Sequence, residues 1–163
     1  MHTEKVVDFI VNWLKEYAKN EKMNGFVIGI SGGIDSAVTS TLCAKTGLPT
    51  LCVEMPIHQA ENQISRGKEH IKQLKRKFPN VSAAKFDLTT VFEDFKNQDT
   101  NPKDVNTLDI SLANTRARLR MTALYYYAGL KKYLVAGTGN KVEDFGIGFY
   151  TKYGDGGVDL SPI

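Results

Sequence analysis

The stretch Phe26–Ser36 reads FVIGISGGIDS and decides the fold, because an apolar run passes into a Ser-Gly-Gly turn and a helical pattern begins directly after it. The run Phe26–Ile30 predicts a buried strand. Two adjacent glycines, Gly32 and Gly33, let the backbone turn sharply and approach a ligand without a Cβ in the way. The unpaired N–H groups in the first turn of the new helix face outward. The sequence therefore predicts a phosphate-binding loop between the first strand and the helix that follows it.

The residue types of this loop narrow the choice of phosphate. Neither the G-x-x-x-x-G-K-[ST] pattern nor a G-x-G-x-x-G pattern after the first strand occurs, and the loop carries no lysine. Ser31 and Ser36 place hydroxyl groups at both ends of the turn, and Asp35 would repel phosphate unless a cation intervened. This arrangement favours a metal-bridged pyrophosphate. The alternative is an ordinary helix start, in which Ser31 is a cap and Asp35 complements the helix dipole.

Composition indicates a single soluble domain with no macromolecular polyanion as partner. The 163 residues are 42% hydrophobic and 24% charged, which is typical of a globular α/β protein. A net charge of +3 is too weak and too dispersed to predict nucleic-acid binding. Cys43 and Cys52 lie in apolar patterns, which favours core thiols and a reducing compartment. The sequence shows no signal-peptide core and no membrane-spanning run, so we expect a cytoplasmic protein without membrane contact.

Strand and helix patterns alternate along the chain. The predicted strands are residues 26–30, 50–54, 81–86 and 133–136, and the predicted helices are residues 3–19, 35–46, 60–77, 90–97 and 109–130. A polar stretch, residues 98–106, separates the last two helices. This βαβ spacing predicts an α/β fold, a parallel sheet with helices on both faces. Ligands of such sheets bind beyond the carboxyl ends of the strands, where the sequence places the Ser-Gly-Gly loop, Gln59 and Thr138.

A second informative segment follows the fourth strand. Residues 137–159 read GTGNKVEDFGIGFYTKYGDGGVD, a sequence rich in glycine and charge with neither a helical nor a strand period. Irregular segments of this length inside compact domains are usually functional. We therefore expect a long functional loop here.

These motifs resemble a known family. The S-G-G-x-D-S hexapeptide resembles the signature of the N-type ATP pyrophosphatases, whose loop holds the pyrophosphate that departs from ATP. T-K-Y-G-D-G-G at residues 151–157 and N-T-R-A-R-L-R-M at residues 114–121 resemble the NAD synthetase branch of that group. The resemblance implies a single Rossmann-like domain over residues 1–163, of the adenine nucleotide alpha hydrolase type. It also implies a ligase for NAD biosynthesis, which amidates deamido-NAD with ammonia through an adenylated intermediate and releases AMP and pyrophosphate.

The resemblance also implies a set of binding residues. The implied ATP-binding residues are Gly29, Ile30, Ser31, Gly32, Gly33, Ile34, Asp35, Ser36, Gln59 and Thr138. The implied deamido-NAD contacts are Arg118, Lys152 and Asp159. The plain alternative for Arg118 is a solvated helix face that it shares with Arg116 and Arg120.

Catalysis in the family implies further carboxylates here. Asp155 matches the acid near the ammonia site, where it would take a proton from ammonium. Mg²⁺ would be held by Asp35 and Glu143. Counting back from Gly148 selects Asp144 instead, but we prefer Glu143, counted from Thr138, because a loop absorbs an extra residue more easily than a strand end. The alternatives are ordinary loop and surface charges.

The resemblance carries expectations about assembly and completeness. Wide apolar faces on the first helix and on the helix that ends near residue 130 indicate a homodimer, as in the family. The family continues beyond the last residue of this chain, so we expect a missing C-terminal part. No amidase segment precedes the first helix, so we expect free ammonia as the nitrogen source. Two alternatives stay open: another ligase of the N-type pyrophosphatase group, or a module that binds ATP without turnover.

Overall fold

Strands and helices alternate in the structure much as the sequence predicts. The computed structural model describes residues 2–98 and 105–163. The strands are β1 (Gly25–Gly29), β2 (Thr50–Glu54), β3 (Val81–Lys85) and β4 (Tyr133–Val135). The helices are α1 (Thr3–Asn20), α2 (Ile34–Lys45), α3 (Glu61–Lys77), α4 (Thr89–Lys96), α5 (Val105–Lys131) and a π-helix, α6 (Val142–Ile147).

The four strands form one parallel sheet in the order β3-β2-β1-β4. Phe26, Val27 and Ile28 of β1 are fully buried, since this strand has a neighbour on each side and helices above and below. From β1 the chain runs outward to β2 and β3, and it returns on the opposite side of β1 to form β4. The strand order thus reverses between β1 and β4, which is the point where open α/β sheets bind their ligands.

Helices cover both faces of the sheet, which confirms the predicted fold class. On one face, α1, α2 and α3 pack through residues such as Leu42 on the cluster that contains Phe26 and Ile28. On the other face, α4 and α5 pack through residues such as Leu124 on the cluster that contains Val27. Successive residues of β1 therefore serve opposite layers, as the pleat of a strand requires. None of the helices in the described ranges is long and apolar enough to cross a membrane.

Two expectations differ from the structure. Helix α5 begins at Val105, four residues before the predicted start, and residues 99–104 of the predicted polar stretch lie outside the described residues.

The segment 137–159 was expected to lack regular structure, and this expectation is wrong for Val142–Ile147, which form the π-helix α6. A π-helical turn does not follow the 3.6-residue period, so periodicity cannot detect it. Asn140 caps the turn, because its Oδ1 accepts the N–H groups of Val142 and Glu143 at 3.1 Å each.

Candidate functional site

A cavity of about 790 Å³ opens at the carboxyl ends of β1 and β4. Its lining comes from the loops after β1, β2 and β4, from the first half of α3 and from one face of α5, represented by Ser31, Gln59, Thr138, Gln63 and Arg120. The volume is in the range of small-molecule and cofactor sites. The cavity therefore lies where the topology of the sheet predicts a ligand.

The Ser-Gly-Gly turn is held in shape by its own hydroxyl groups. Ser31 Oγ accepts the N–H of Gly33 at 3.2 Å and lies 3.2 Å from Ser36 Oγ, which donates to the Gly33 carbonyl at 3.0 Å. Gln59 Nε2 donates to the carbonyl of Ser31 at 2.8 Å and so ties the loop after β2 to the turn. Gly32 has a φ of +83°, a conformation that favours glycine. The turn therefore requires a glycine at this position.

The backbone amides of this turn divide into two groups. The N–H groups of Ser31 and Gly33 are bonded to side-chain oxygens within the turn. Those of Gly32, Ile34 and Asp35 make no hydrogen bond to any other part of the chain that the structure describes. They lie at the amino terminus of α2, where the helix dipole adds partial positive charge. The turn can therefore bind an anion, although Ser31 also caps one amide as the plainer interpretation supposed.

Three arginines add positive charge to the cavity lining: Arg66 on α3, and Arg116 and Arg120 on α5. The Arg116 guanidinium lies 4.6 Å from the centre of the Phe92 ring, and Arg120 Nε donates to the Met55 carbonyl at 3.2 Å. Burial lowers the pKa of Arg120, and the charge of Arg116 lowers that pKa further. Among the lining residues of the described chain, Asp155 is the acidic one. The cavity is therefore electropositive and suits a polyanion.

Sequence reasoning missed the position of these arginines in the cavity lining. Arg116 and Arg120 are four residues apart, so they lie on the same face of α5, whereas Arg118 between them points elsewhere. That spacing is visible in the sequence. It is informative only together with the small or apolar residues that line the cavity from the same helix face, Ala113, Ala117, Met121 and Leu124.

Most of the predicted ATP-binding residues meet at the cavity. Those that line it are Gly29, Ile30, Ser31, Gly32, Gly33, Gln59 and Thr138. Ser36 is buried beneath the turn, the Ile34 side chain is exposed, and Asp35 is half-buried at the start of α2 without lining the cavity. Asp155 lines the cavity, and its Oδ1 accepts the N–H of Thr151 at 2.9 Å.

The residues predicted to contact deamido-NAD lie outside the cavity lining. Arg118 Nε donates to the carbonyl of Lys152 at 3.1 Å. The Asp159 carboxylate accepts the Tyr125 hydroxyl at 2.9 Å and the N–H of Val135 at 2.7 Å. Burial, followed by the interaction with Asp159, raises the pKa of Tyr125. Arg118 and Tyr125 are seven residues apart and share a face of α5, so these side chains form a second surface beside the cavity.

The two candidates for the second metal carboxylate differ in their surroundings. Glu143 is exposed, whereas Asp144 is half-buried, and a methyl group at Gly139 would overlap its carboxylate oxygens. Burial, and then the charge of Asp155, raises the pKa of Asp144. Within residues 2–98 and 105–163, no group of three or more His, Cys, Asp or Glu side chains could hold a metal alone. Mg²⁺ commonly uses one or two carboxylates plus substrate phosphates, so these residues fit it only together with a bound nucleotide.

A doubly wound parallel sheet with a Ser-Gly-Gly turn at its switch point defines an α/β protein of the ATP pyrophosphatase, or PP-loop, fold. Residues 6–163 match the family model described as NAD synthase. The chain belongs to this family, which confirms the resemblance seen in the sequence.

Individual relatives agree with this assignment. The NH(3)-dependent NAD(+) synthetase of Mesoplasma florum is 40% identical, over 100% of this chain and 64% of its own length. That of Carboxydothermus hydrogenoformans is 37% identical, over 98% of this chain and 64% of its own length. The chain thus spans less than two thirds of the length of these curated relatives.

Solved structures of the same fold also align with the whole chain. The NMN synthetase from Francisella tularensis has a TM-score of 0.89 and 34% identity, over 100% of this chain and 65% of that one. The NH3-dependent NAD synthetase from Campylobacter jejuni has a TM-score of 0.87 and 31% identity, over 100% of this chain and 67% of that one.

Proposed function

We propose that this chain carries the ATP-dependent amidation of deamido-NAD to NAD with ammonia, a ligase reaction that releases AMP and pyrophosphate. The observation that carries the proposal is the Ser-Gly-Gly turn, whose unpaired amides lie beside an electropositive cavity at the switch point of the sheet. The names of the NH(3)-dependent relatives support the choice of nitrogen donor and product.

The first step gives the carboxylate a leaving group, because ammonia does not displace oxide from a carboxylate. The nicotinate carboxylate attacks the α-phosphorus of ATP, the bond from that phosphorus to the bridging oxygen breaks, and pyrophosphate departs. The Gly32-Gly33 turn, through the unpaired amides of Gly32, Ile34 and Asp35, binds the departing group together with the hydroxyls of Ser31 and Ser36. Thr138 and Gln59 contact ATP from the neighbouring loops. The chemistry requires no protein nucleophile, so positioning and charge account for the rate.

Mg²⁺ is proposed to be held by Asp35 together with a carboxylate of α6. Glu143 was the residue chosen from the sequence, and the position of Asp144 beside Gly139 supports Asp144 for the same role. When bound, the ion supplies neutralisation of the phosphate oxygens.

In the second step, neutral ammonia attacks the activated carbonyl carbon and AMP departs. Asp155 takes the proton from the attacking nitrogen. Arg118, Lys152 and Asp159 are proposed to position deamido-NAD from the second surface of α5.

Exposed apolar residues such as Phe9 on α1 and Leu130 on α5 support a homodimer. We propose a cytoplasmic location, because the free, buried thiols of Cys43 and Cys52 favour a reducing compartment.

The test incubates the purified chain with ATP, Mg²⁺, ammonium and deamido-NAD and measures AMP, pyrophosphate and NAD. The three products should form in equal amounts. Asp35→Asn should abolish Mg²⁺-dependent pyrophosphate release while the fold is retained, and Asp8→Asn, an exposed change on α1, serves as its control. Full activity of Asp35→Asn refutes the metal role. Activity with glutamine and none with ammonium salts contradicts the nitrogen source.

A second candidate is amidation of the corresponding mononucleotide acid. The Francisella tularensis structure with a TM-score of 0.89 is named for NMN synthetase, which favours this reading over more distant ligases. Parallel assays with deamido-NAD and nicotinate mononucleotide distinguish the two substrates. Binding of ATP without AMP formation from either acid would instead support a module that binds the nucleotide without turnover.

A further inference from the structure

The phosphate-binding turn rests directly on the backbone of α3. A methyl group added to Gly32 would overlap the carbonyl oxygen of Gln63. A methyl group added to Gly67 would come within 3.4 Å of Ile30 Cγ2 and 3.8 Å of the Gly32 nitrogen. The two elements therefore meet backbone to backbone at two positions of α3 that are one turn apart. This close approach fixes the first turns of α3 relative to the turn after β1.

Arg66 lies between these two contact positions in the sequence of α3. It lines the cavity of about 790 Å³ on one side of the turn. It also lines a smaller cavity of about 260 Å³ on the other side, where Ser36 and the start of α2 contribute. In the described part of the chain, Gly32 and Gly33 line both cavities too, and Arg66 is the charged side chain that the two cavities share.

The Arg66 guanidinium has no ion-pair or hydrogen-bond partner within the described protein. No carboxylate in residues 2–98 and 105–163 forms an ion pair with it, and no hydrogen bond of its guanidinium occurs there. The turn itself supplies amides and hydroxyls but no cation, and it carries the acidic Asp35. A pyrophosphate group has several negative charges that require neutralisation. A guanidinium offers parallel N–H donors that match two phosphate oxygens.

We infer that Arg66 is a pyrophosphate-binding residue, which places its guanidinium on the phosphates held at the Gly32-Gly33 corner. This inference rests on the proposed function, because it names the counter-charge for the leaving group of that reaction. It adds a positively charged residue of α3 to a site built mainly from the loops after β1, β2 and β4 and from α5.

Isothermal titration with Mg²⁺ and inorganic pyrophosphate tests the inference on the whole chain. Arg66→Gln removes the charge, and Arg66→Lys keeps the charge but loses the paired donors. Arg76→Gln is the matched control, because it makes the same charge change on the last turn of α3, outside both cavities. Titration with AMP, which lacks the leaving phosphates, reports on the rest of the nucleotide site.

We expect Arg66→Gln to weaken pyrophosphate binding roughly tenfold to a hundredfold, the effect of losing a charged hydrogen bond. Arg66→Lys should fall between this variant and the wild type, and Arg76→Gln should stay within about twofold. The affinity of Arg66→Gln for AMP should also stay within about twofold, which a merely structural defect would not allow.

Two results overturn the inference and are distinguishable. If the wild-type chain binds ATP and pyrophosphate but Arg66→Gln binds pyrophosphate no more weakly than Arg76→Gln, the role of Arg66 is wrong and the proposed function stands. If the wild-type chain binds neither ATP nor pyrophosphate, the proposed function fails and this inference fails with it. Melting curves of all variants establish that each is folded under the titration conditions.

Discussion

Replacing Gly32 by alanine tests the geometry on which phosphate binding depends. The residue combines a φ of +83° with a Cβ position that would overlap the Gln63 carbonyl oxygen. A side chain there meets two separate penalties, one from the backbone conformation and one from the contact with α3. The chain contains controls that separate them. Gly47 has a φ of +78° with open space around its Cβ position, and Gly129 has open space and no positive φ.

The expected magnitudes follow from these three environments. An alanine at positive φ costs about 1–2 kcal/mol, which applies to Gly47→Ala. Gly32→Ala adds an overlap with a backbone atom that cannot rotate away, about 1–3 kcal/mol more. Gly129→Ala lies inside α5 and should stabilise the fold by about 0.4–1 kcal/mol. For a chain of this size, each 1 kcal/mol shifts Tm by about 2–4 °C.

Urea denaturation and thermal melting of the three variants measure the free energies of unfolding. Gly32→Ala should be the least stable, Gly47→Ala intermediate, and Gly129→Ala at or above the wild type. ATP affinity, measured on the folded protein, should fall for Gly32→Ala and stay unchanged for the other two. A Gly32→Ala variant as stable as Gly47→Ala would refute the contact with α3. Unchanged ATP affinity in that variant would refute the role of the turn.

Three further predictions concern pH, thiols and a carboxylate. Burial lowers the pKa of His70 below 6.5 in the folded protein. The unfolded chain therefore takes up this proton first, and the free energy of unfolding decreases as pH falls below about 6.5. Urea midpoints measured at high and low pH should differ more for the wild type than for His70→Gln. Burial raises the pKa of Cys52 to about 12 and that of Cys43 further, so DTNB should label both thiols only at the rate of unfolding. Asp159→Asn should cost about 1–3 kcal/mol in urea denaturation, because Tyr125 and a backbone amide lose a charged acceptor. Unchanged stability would refute this structural role of Asp159, whereas weaker deamido-NAD binding would support its proposed contact with the substrate.

The sheet could be predicted from the sequence because its strands have few other interpretations. The segment Thr50–Glu54 has the bounds that the sequence predicts; β1 is shifted by one residue at both ends, and β3 and β4 each end one residue earlier than predicted. Short apolar runs bounded by glycine, proline or asparagine are typical of buried parallel strands. The start of α5 was missed because Val105, Asn106 and Thr107 are weak helix formers, so local sequence does not indicate a helix there.

The candidate site likewise has parts that local sequence predicts and parts that depend on tertiary packing. The turn at residues 31–36 was predictable because its shape depends on its own glycines and hydroxyls. Arg66 was not predictable, since its place at the cavity depends on the close approach of α3 at Gly67. Whether Glu143 or Asp144 points inward depends on α6, whose π-helical turn has no signal in the apolar period.

The arginines of the cavity show how the two layers of the fold complete the site. Arg66 belongs to α3, which packs on one face of the sheet, whereas Arg116 and Arg120 belong to α5 on the other face. The Ser-Gly-Gly turn forms from local sequence, but the proposed counter-charge for a bound phosphate assembles only when both layers have docked. Since the unfolded chain cannot reproduce this arrangement, a polyphosphate that binds here binds the folded state and stabilises it by mass action. A rise in Tm with pyrophosphate therefore reports the docking of both layers, and the Arg66→Gln and Arg76→Gln variants show how much of that rise depends on α3.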